Sequence, residues 1–528
     1  MKRRDFIKKA APAAVIVPSL INGVSFAAGN NPWLEALVRS AEETDRVLVL
    51  IFLSGGNDGL NTVIPKDQYS QLSAARSNVL IPQGQVLPLT GYPNTGFHPA
   101  MTGMRDLFNN GKLQVIQSVG YPTPNFSHFR ATDIWNTASD SNQVLSSGWV
   151  GRYLANEYPG FPQGYPNAAN PDPLAVQLGA NLPLLFQGPA AQMAMTVSSP
   201  AIFNSWVTGT PDPAPNTPAG DELTYIRTIS QQTQHYAQRL ISAYMNVTSQ
   251  SPGYPLEGTN YLADVLKLTA RLIKGGLKSR LYLCVLYGFD THASQVVSGQ
   301  TNTGSHATLL GMLSQAIKAF QDDLQFMGIE DRVLGMTFSE FGRRVKSNGS
   351  LGTDHGAASP MFVFGKKIHG GILGTNPAVP ANATDEDNIP MQYDFRSVYA
   401  SILKDWFCVP EPVLHDIMLQ NFQHLPIVNP ACITGIEEFN ALSDALGLKA
   451  YPNPMTTSTY ADYEVPDGHV MLQLYDPLGR LVKTYVNQYQ PAGKYKVWIE
   501  NEGFRLGNYH LRLQSGALQK TFTVTVVR

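Results

Sequence analysis

The sequence predicts a doubly wound, mostly parallel α/β domain followed by a small C-terminal β-sandwich. Three observations predict it. Uninterrupted apolar runs of strand length recur between residues 46 and 365, and strands apolar on both faces belong to buried parallel sheets. Helical patterns lie between them, and alternation of strand and helix indicates α/β layering. From about residue 448 the chain changes to short segments of alternating polarity between turn signals, the pattern of a β-sandwich.

The first element is a targeting segment, predicted over residues 1–28. "MKRRDFIKKA" supplies a basic region and "APAAVIVPSLINGVSFAA" a modest apolar stretch ending in small residues. Pro12 and Pro18 break that stretch, and it is too short to span a bilayer stably. Arg3-Arg4 followed by Asp5-Phe6-Ile7-Lys8 resembles the twin-arginine signal, an address read by an export receptor; the alternative is an ordinary secretory signal. No other segment reads as transmembrane.

The α/β domain is predicted over residues 29–447. Its strands are "RVLVLIFL" from Arg46, "KLQVIQSV" from Lys112, "LYLCVLYGF" from Leu281, "RVLGMTF" from Arg332 and "MFVFG" from Met361. In "HATLLGMLSQAIKAFQDDLQFMG" Leu309, Leu310, Leu313, Ile317, Phe320 and Leu324 fall at helical spacing. The sandwich follows over 448–528, with turns at "DPLGR", "PAGK" and "RLGN".

The 528 residues leave room for two to four domains. A hydrophobic share of 43%, a charged share of 15% and a net charge of −2 are globular values that favour neither nucleic acid nor an anionic membrane as partner. Three cysteines are too few for a disulfide framework. Cys284, inside an apolar run, reads as a buried packing residue.

Polar clusters follow or flank the strands. The first strand ends in "SGGNDGLN", with Asn57 and Asp58. After the second comes "YPTPNFSHFRATDIW", with Thr123, Ser127 and His128 entering a helix. The third ends in "GFDTHASQ", with Asp290 and His292, and the fourth in "SEFGRRVKSNGSLGTDHG", with Glu340, Arg343, Asp354 and His355. Singly, each fits turn or capping chemistry; Ser127 reads equally well as a helix N-cap. Doubly wound sheets place their sites beyond the carboxyl ends of the strands, so these clusters converge. Crowded carboxylates raise one another's pKa, and a divalent cation relieves the repulsion. Mixed Asp/Glu/His ligation suits zinc, manganese or iron better than calcium. One or two such ions are expected, and two close together activate a nucleophile and stabilise a leaving oxygen. A hydroxyl at a helix N-terminus is placed to attack a phosphoryl or sulfuryl group.

The order of these clusters resembles the alkaline phosphatase superfamily, which includes sulfatases. More closely, "LSGGNDGLN", "SHFRATDIW", "SGWVGRYL", "GFDTH", "SEFGR", "GTDHG" and "DFRSVYASIL" resemble the domain-of-unknown-function family 1501, over roughly residues 45 to 430. The resemblance implies the fold, twin-arginine export and a periplasmic or extracellular location. It implies Asp58 as a first-strand metal ligand, Ser127 as nucleophile with Thr123 as second choice, and Asp290 and His292 as a ligand pair. The last part stays open. Either Asp354-His355 is the superfamily's Asp-His pair, or Glu340 holds that place and His355 is a lone ligand. Phe341 stands where a histidine is expected beside Glu340, which leaves one metal, two or none.

Arg343 is a candidate clamp for an anionic substrate or a structural partner of Glu340. Asn57 and His128 are further substrate-binding candidates; His98 and His128 line the pocket or satisfy local turns. Asp394 and Arg396 read as a helix-start ion pair, His369 as a turn residue, and His235, His306, His415 and His424 as surface or packing residues. The function implied is an exported metal-dependent hydrolase of a small-molecule or glycan phosphate or sulfate ester. The alternative is a non-catalytic cell-surface binding protein on a degenerate site.

At the C-terminus "YPNP", "LQLYDPLGRLVKTY", "PAGKYKVWIE" and "LGNYHLRLQSG" resemble the sorting domain of the type IX secretion system. That implies a Bacteroidetes-type cell, passage through the type IX export machinery, and release or attachment at the surface. The residues alone fit an adhesive or carbohydrate-binding β-domain equally.

Overall fold

The computed structural model describes residues 20–21, 24–25, 45–179, 181–197, 214–215, 217–429, 446–466, 468–477, 480–515 and 518–528. Arg3-Arg4 and most of the expected signal segment lie outside the described residues. Contacts divide the chain into two compact units, one built on residues 44–407 and 411–431, the other carrying the C-terminal residues.

The larger unit is built on a nine-stranded sheet. Its strands are β1 (Val47–Ser54), β2 (Leu113–Gly120), β3 (Ala175–Leu178), β4 (Met195–Val197), β5 (Leu281–Tyr287), β6 (Val333–Phe338), β9 (Ser359–Phe364), β10 (Gly371–Leu373) and β11 (Tyr393–Asp394), while β7 (Gly342–Ser347) and β8 (Thr353–Gly356) form a separate hairpin. The order is β10-β2-β9-β6-β1-β5-β3-β4, with β11 beside β2. β1 lies at the centre, parallel to β5 and β6. All five apolar runs are strands, and β2 and β6 are buried along their whole length. One detail departs from expectation: β9, read as one more parallel strand, runs antiparallel to both β6 and β2. The run "MFVF" is apolar in either direction, so its composition carries no sense of orientation.

Helices cover the sheet. The expected helix appears as α3 (Ser305–Phe326), after α1 (His128–Thr137) and α2 (Tyr261–Lys274). Leu310, Leu313, Ile317, Phe320 and Leu324 of α3 are all buried. At a transfer value of about 25 cal/mol per Å² of apolar surface, each such side chain contributes on the order of 2 kcal/mol. Asp394 caps α4 (Phe395–Asp405): it accepts from the Arg396 N–H at 2.9 Å and pairs with that residue's guanidinium at 2.7 Å. Cys284 is a free, buried thiol, which burial pushes up to about 12. Cys408 is disulfide-bonded, a pairing the low cysteine count gave no reason to expect.

The C-terminal unit has two antiparallel sheets. β12 (Lys449–Tyr451), β13 (Ser458–Val465) and β16 (Gly493–Glu500) form one, in that order. β14 (Gly468–Tyr475), β15 (Leu481–Gln490), β17 (Gly507–Ser515) and β18 (Leu518–Val526) form the other, in the order β15-β14-β17-β18. Burial alternates residue by residue along β13, as in a strand with one face in the core. Ala461, Tyr463, Val470, Leu472, Leu511 and Leu513 belong to that core. No helix among the described residues is long and apolar enough to cross a membrane.

Candidate metal centre

The parallel strands β1, β5 and β6 all end at one edge of the sheet. Because β9 runs backwards, the β7–β8 hairpin that precedes it enters at that same edge. Close approach of these loops requires glycine. Gly55 has φ +126, and a Cβ there would lie 2.2 Å from the Asp290 nitrogen. A Cβ on Gly352 would lie 2.3 Å from the His292 carbonyl oxygen. The two glycines let the β1 loop and the hairpin press against the loop that carries Asp290 and His292.

Three imidazoles converge on the Asp290 carboxylate. His128 Nε2 lies 3.4 Å from Asp290 Oδ2, and His292 and His355 Nε2 each lie 3.3 Å from Oδ1. Ligand atoms of His128, Asp290 and His355 fall within 4.8 Å of one another. The Nε2 atoms of His292 and His355 are 2.8 Å apart.

The opposite nitrogen of each ring is fixed. His128 Nδ1 lies 2.9 Å from Glu340 Oε1, His292 Nδ1 2.9 Å from Asp354 Oδ1, and His355 Nδ1 2.8 Å from the Phe126 carbonyl oxygen. A carbonyl or ionised carboxylate only accepts. Each Nδ1 therefore donates, and each ring turns its Nε2 toward Asp290. This is the arrangement in which outer carboxylates and carbonyls orient metal-ligating histidines.

Arg343 holds the platform. Its guanidinium is fully buried. It donates to the carbonyl oxygens of Gly56 at 2.7 Å, Thr353 at 2.6 Å and Phe289 at 3.0 Å, and to Asp290 Oδ1 at 2.8 Å. The expected alternatives were a substrate clamp or a Glu340 partner; the structure pairs it with Asp290 and leaves it no exposed donor. Burial pushes the Asp290 carboxyl up, but the Arg343 and His355 hydrogen bonds outweigh it and hold the group down at about 2. Burial, with the Arg343 charge, lowers His355 below the ordinary histidine value against the raising effect of the Phe126 carbonyl.

Glu340 is buried. Its Oε1 also accepts the Gly55 N–H at 2.9 Å, and Oε2 accepts from the Ser339 hydroxyl at 3.2 Å. Asp354 also accepts from Asn348 Nδ2 at 3.0 Å. Both expected ligands thus stand behind histidines. Asp58, the expected first-strand ligand, stands elsewhere. Arg76 grips it with two hydrogen bonds, at 3.0 and 2.7 Å, and Gln295 donates to it at 2.6 Å. Burial pushes this carboxyl up, but the charges of Arg76 and His306 and those hydrogen bonds bring it below the usual range.

Asn57 is buried too, not open to a substrate. Its Oδ1 accepts from Thr62 and His306, each at 3.1 Å. His306 is a packing residue in that network, and His98 accepts the Ala100 N–H, a local turn. Ser127 is exposed at the N-cap of α1, its hydroxyl unused for capping. Thr123 is also exposed, at φ +51, and its hydroxyl donates to the Pro122 carbonyl. The sequence offers His128 as a pocket or turn residue and hides its place beside Asp290, because its partner Glu340 lies 212 residues away.

Residues 45–406 match the model of a family described as "Protein of unknown function (DUF1501)". The chain belongs to this family. Residues 449–527 match the secretion system C-terminal sorting domain, which indicates export to the cell surface or extracellular space. Comparison with curated proteins finds no match. Similar solved structures include a protein in the alkaline phosphatase superfamily from Vibrio parahaemolyticus, at 7% identity and TM-score 0.31, covering 93% of this chain and 84% of that one. A Pseudoalteromonas sp. sulfatase matches at 8% identity and TM-score 0.30, covering 94% and 88%. An alkaline phosphatase from the Antarctic bacterium TAB5 matches at 12% identity and TM-score 0.25, covering 62% and 95%. Identities this low leave the chemistry of the DUF1501 site to be argued from its own residues.

Proposed function

We propose that this DUF1501 chain is an exported metal-dependent hydrolase of phosphate or sulfate esters, holding one divalent ion on His128, Asp290, His292 and His355. The observation that carries this reading is the convergence of three Nε2 atoms on one carboxylate. Two lone pairs 2.8 Å apart beside an anion repel unless a proton or a metal ion stands between them. Imidazole with carboxylate suits zinc, manganese or iron.

An ion bound there supplies Lewis-acid stabilisation for an ester oxygen. The chain's own groups do the rest. Glu340, Asp354 and the Phe126 carbonyl hold the three Nδ1 protons, so each ring keeps one tautomer and one orientation. Arg343 keeps Asp290 ionised and fixed between the β1 and β5 loops. Ser127 is the nucleophile: its hydroxyl is exposed at the start of α1, one residue before His128, where unpaired helix amides favour an anionic group.

What supports one ion over two is the state of the other expected ligands. Asp58 is committed to Arg76. The Phe341 ring packs against both His128 and His355, at centroid distances of 4.9 and 4.4 Å, and offers no ligand atom. The same two features favour a second reading, a binding protein on a site that has lost its chemistry.

The test is turnover of p-nitrophenyl phosphate and p-nitrophenyl sulfate by the mature protein purified without chelator. Activity lost in His355→Ala, with the circular dichroism spectrum unchanged, is the expected result. Full activity in that variant overturns the assignment. A protein that takes up no zinc, manganese or iron supports the binding reading instead.

A further inference from the structure

The outer face of the three-stranded sheet in the C-terminal unit carries a row of aromatic rings. Cross-strand register sets Tyr451 opposite Tyr460, and Tyr460 opposite Trp498. All three stand on the solvent side. Tyr451 is 78% exposed, Tyr460 40% and Trp498 49%. Adjacent strands are about 4.8 Å apart, so the row is about 10 Å long. The Tyr460 and Trp498 rings meet at 4.5 Å between centroids and are inclined by 65°, forming a step. Cross-strand pairing accounts for those two rings as a contact that stabilises the sheet. It does not account for Tyr451, which lies almost bare at the end of the row.

The surroundings of the row are polar and balanced. The next register position holds Lys449, Asp462 and Lys496, and the one beyond it Glu464 and Lys494. On the other side stand Ser458 and Glu500. Lys496 pairs with Asp462 at 3.5 Å and Lys494 with Glu464 at 3.7 Å. The Lys496 ammonium also lies 5.1 Å over the Tyr460 ring.

We propose that this row binds a neutral oligosaccharide of equatorially linked pyranoses. The C–H face of such a ring is apolar and weakly positive, and stacks on the negative face of an aromatic ring. Its hydroxyls at the rim need donors and acceptors, which the flanking lysines and carboxylates supply. The row spans a disaccharide and is one side chain wide. A protein partner needs a larger surface, about 800 Å² and 20–30 residues on each side, and three rings bounded by charge fall well short of it. The charges flanking the row are of both signs in equal number, Lys449, Lys494 and Lys496 against Asp462, Glu464 and Glu500, so the face complements an uncharged ligand better than a phosphorylated or sulfated one. The proposal is independent of the ester-hydrolase reading, which concerns the other unit.

The experiment is isothermal titration of the full-length chain, with residues 449–527 retained, against cellopentaose, xylopentaose and laminaripentaose. Saturable binding of at least one is expected, weakened about tenfold or more in Trp498→Ala and several-fold in Tyr451→Ala. Trp498→Phe, which keeps a ring, restores most of the affinity and separates loss of stacking from misfolding. His355→Ala binds as the parent does. Absence of saturable binding to all three sugars overturns the proposal, as does undiminished binding in Trp498→Ala. Binding lost in His355→Ala but kept in Trp498→Ala places the sugar at the metal centre and also overturns it. Self-association in sedimentation that Trp498→Ala abolishes makes the row a protein interface, with the same consequence.

Discussion

The Nε2 atoms of His292 and His355 lie 2.8 Å apart, and neither ring is free to turn away. Asp354 holds one by its Nδ1 and the Phe126 carbonyl holds the other. Under the proposed function, two imidazoles locked in this way turn both Nε2 atoms to one shared cation. The mature protein, purified without chelator, is therefore expected to carry about one equivalent of zinc, manganese or iron by mass spectrometry. His292→Ala and His355→Ala are expected to lose it. Glu340→Gln exchanges for an amide the carboxylate that orients His128 and also accepts from Gly55 and Ser339, and is expected to weaken metal affinity about 10- to 100-fold, read by competition with a chromophoric chelator.

Asp58 gives the opposite expectation. Its carboxylate belongs to a buried pair with Arg76, whose side chain is 0% exposed. Asp58→Asn leaves that guanidinium uncompensated, a loss of about 3–5 kcal/mol, while the metal content of the folded fraction stays at the parent value. Urea unfolding together with metal analysis of the same sample separates these two outcomes from loss of a ligand.

Ser127 is tested by Ser127→Ala. No hydrogen bond joins its hydroxyl to any described residue, so the variant is expected to keep the parent's metal content and unfolding midpoint. Its turnover of p-nitrophenyl esters is expected to fall by about 100-fold or more. Unchanged turnover would pass the nucleophile role to Thr123 or to water.

Stability is expected to fall with mild acid. Burial lowers His98 to about 3 and His306 to about 4, from 6.5. Between these values and 6.5 the unfolded chain binds more protons than the folded one, so stability rises with pH in that window. The contribution is complete above pH 6.5 and declines as pH falls towards 4. Asp58 acts later: its carboxyl is held below the ordinary 3.8 in the fold, so its contribution is complete above that pH and is lost only as the pH falls further. Metal-free protein should unfold at lower urea at pH 5 than at pH 7, by an amount on the order of 2–4 kcal/mol. His306→Gln should flatten the slope. An equal midpoint at both pH values would contradict the buried neutral state of these rings.

Much of the fold is legible in the sequence because parallel strands buried on both faces are written as unbroken apolar runs, and α3 as leucines at helical spacing. The direction of β9 is not, since four apolar residues read alike both ways. At the site, Asp290, His292, Asp354 and His355 stand out because carboxylate and imidazole adjoin in glycine-rich loops. The separate role of Asp58 is hidden because Arg76 ends an ordinary surface-facing helix, Tyr69–Arg76, whose last turn turns inward. Arg343 invites a reading as an anion clamp because its sequence neighbours are polar. Only the fold reveals that backbone carbonyls from three loops surround it.

The backward course of β9 has a consequence for how the protein matures. The hairpin bearing Asp354 and His355 is delivered to the rim only when Ser359–Phe364 has slotted between β6 and β2, strands that begin 220 positions apart in the chain. A nascent chain stopped before Ser359 has β1, β5, β6 and His355 itself, but no β9 to anchor the hairpin that carries that imidazole. Under the proposed function, ion capture is thus a late event, a seal set on a finished sheet, and an ion retained by the secreted chain certifies that β9 found its place between β6 and β2.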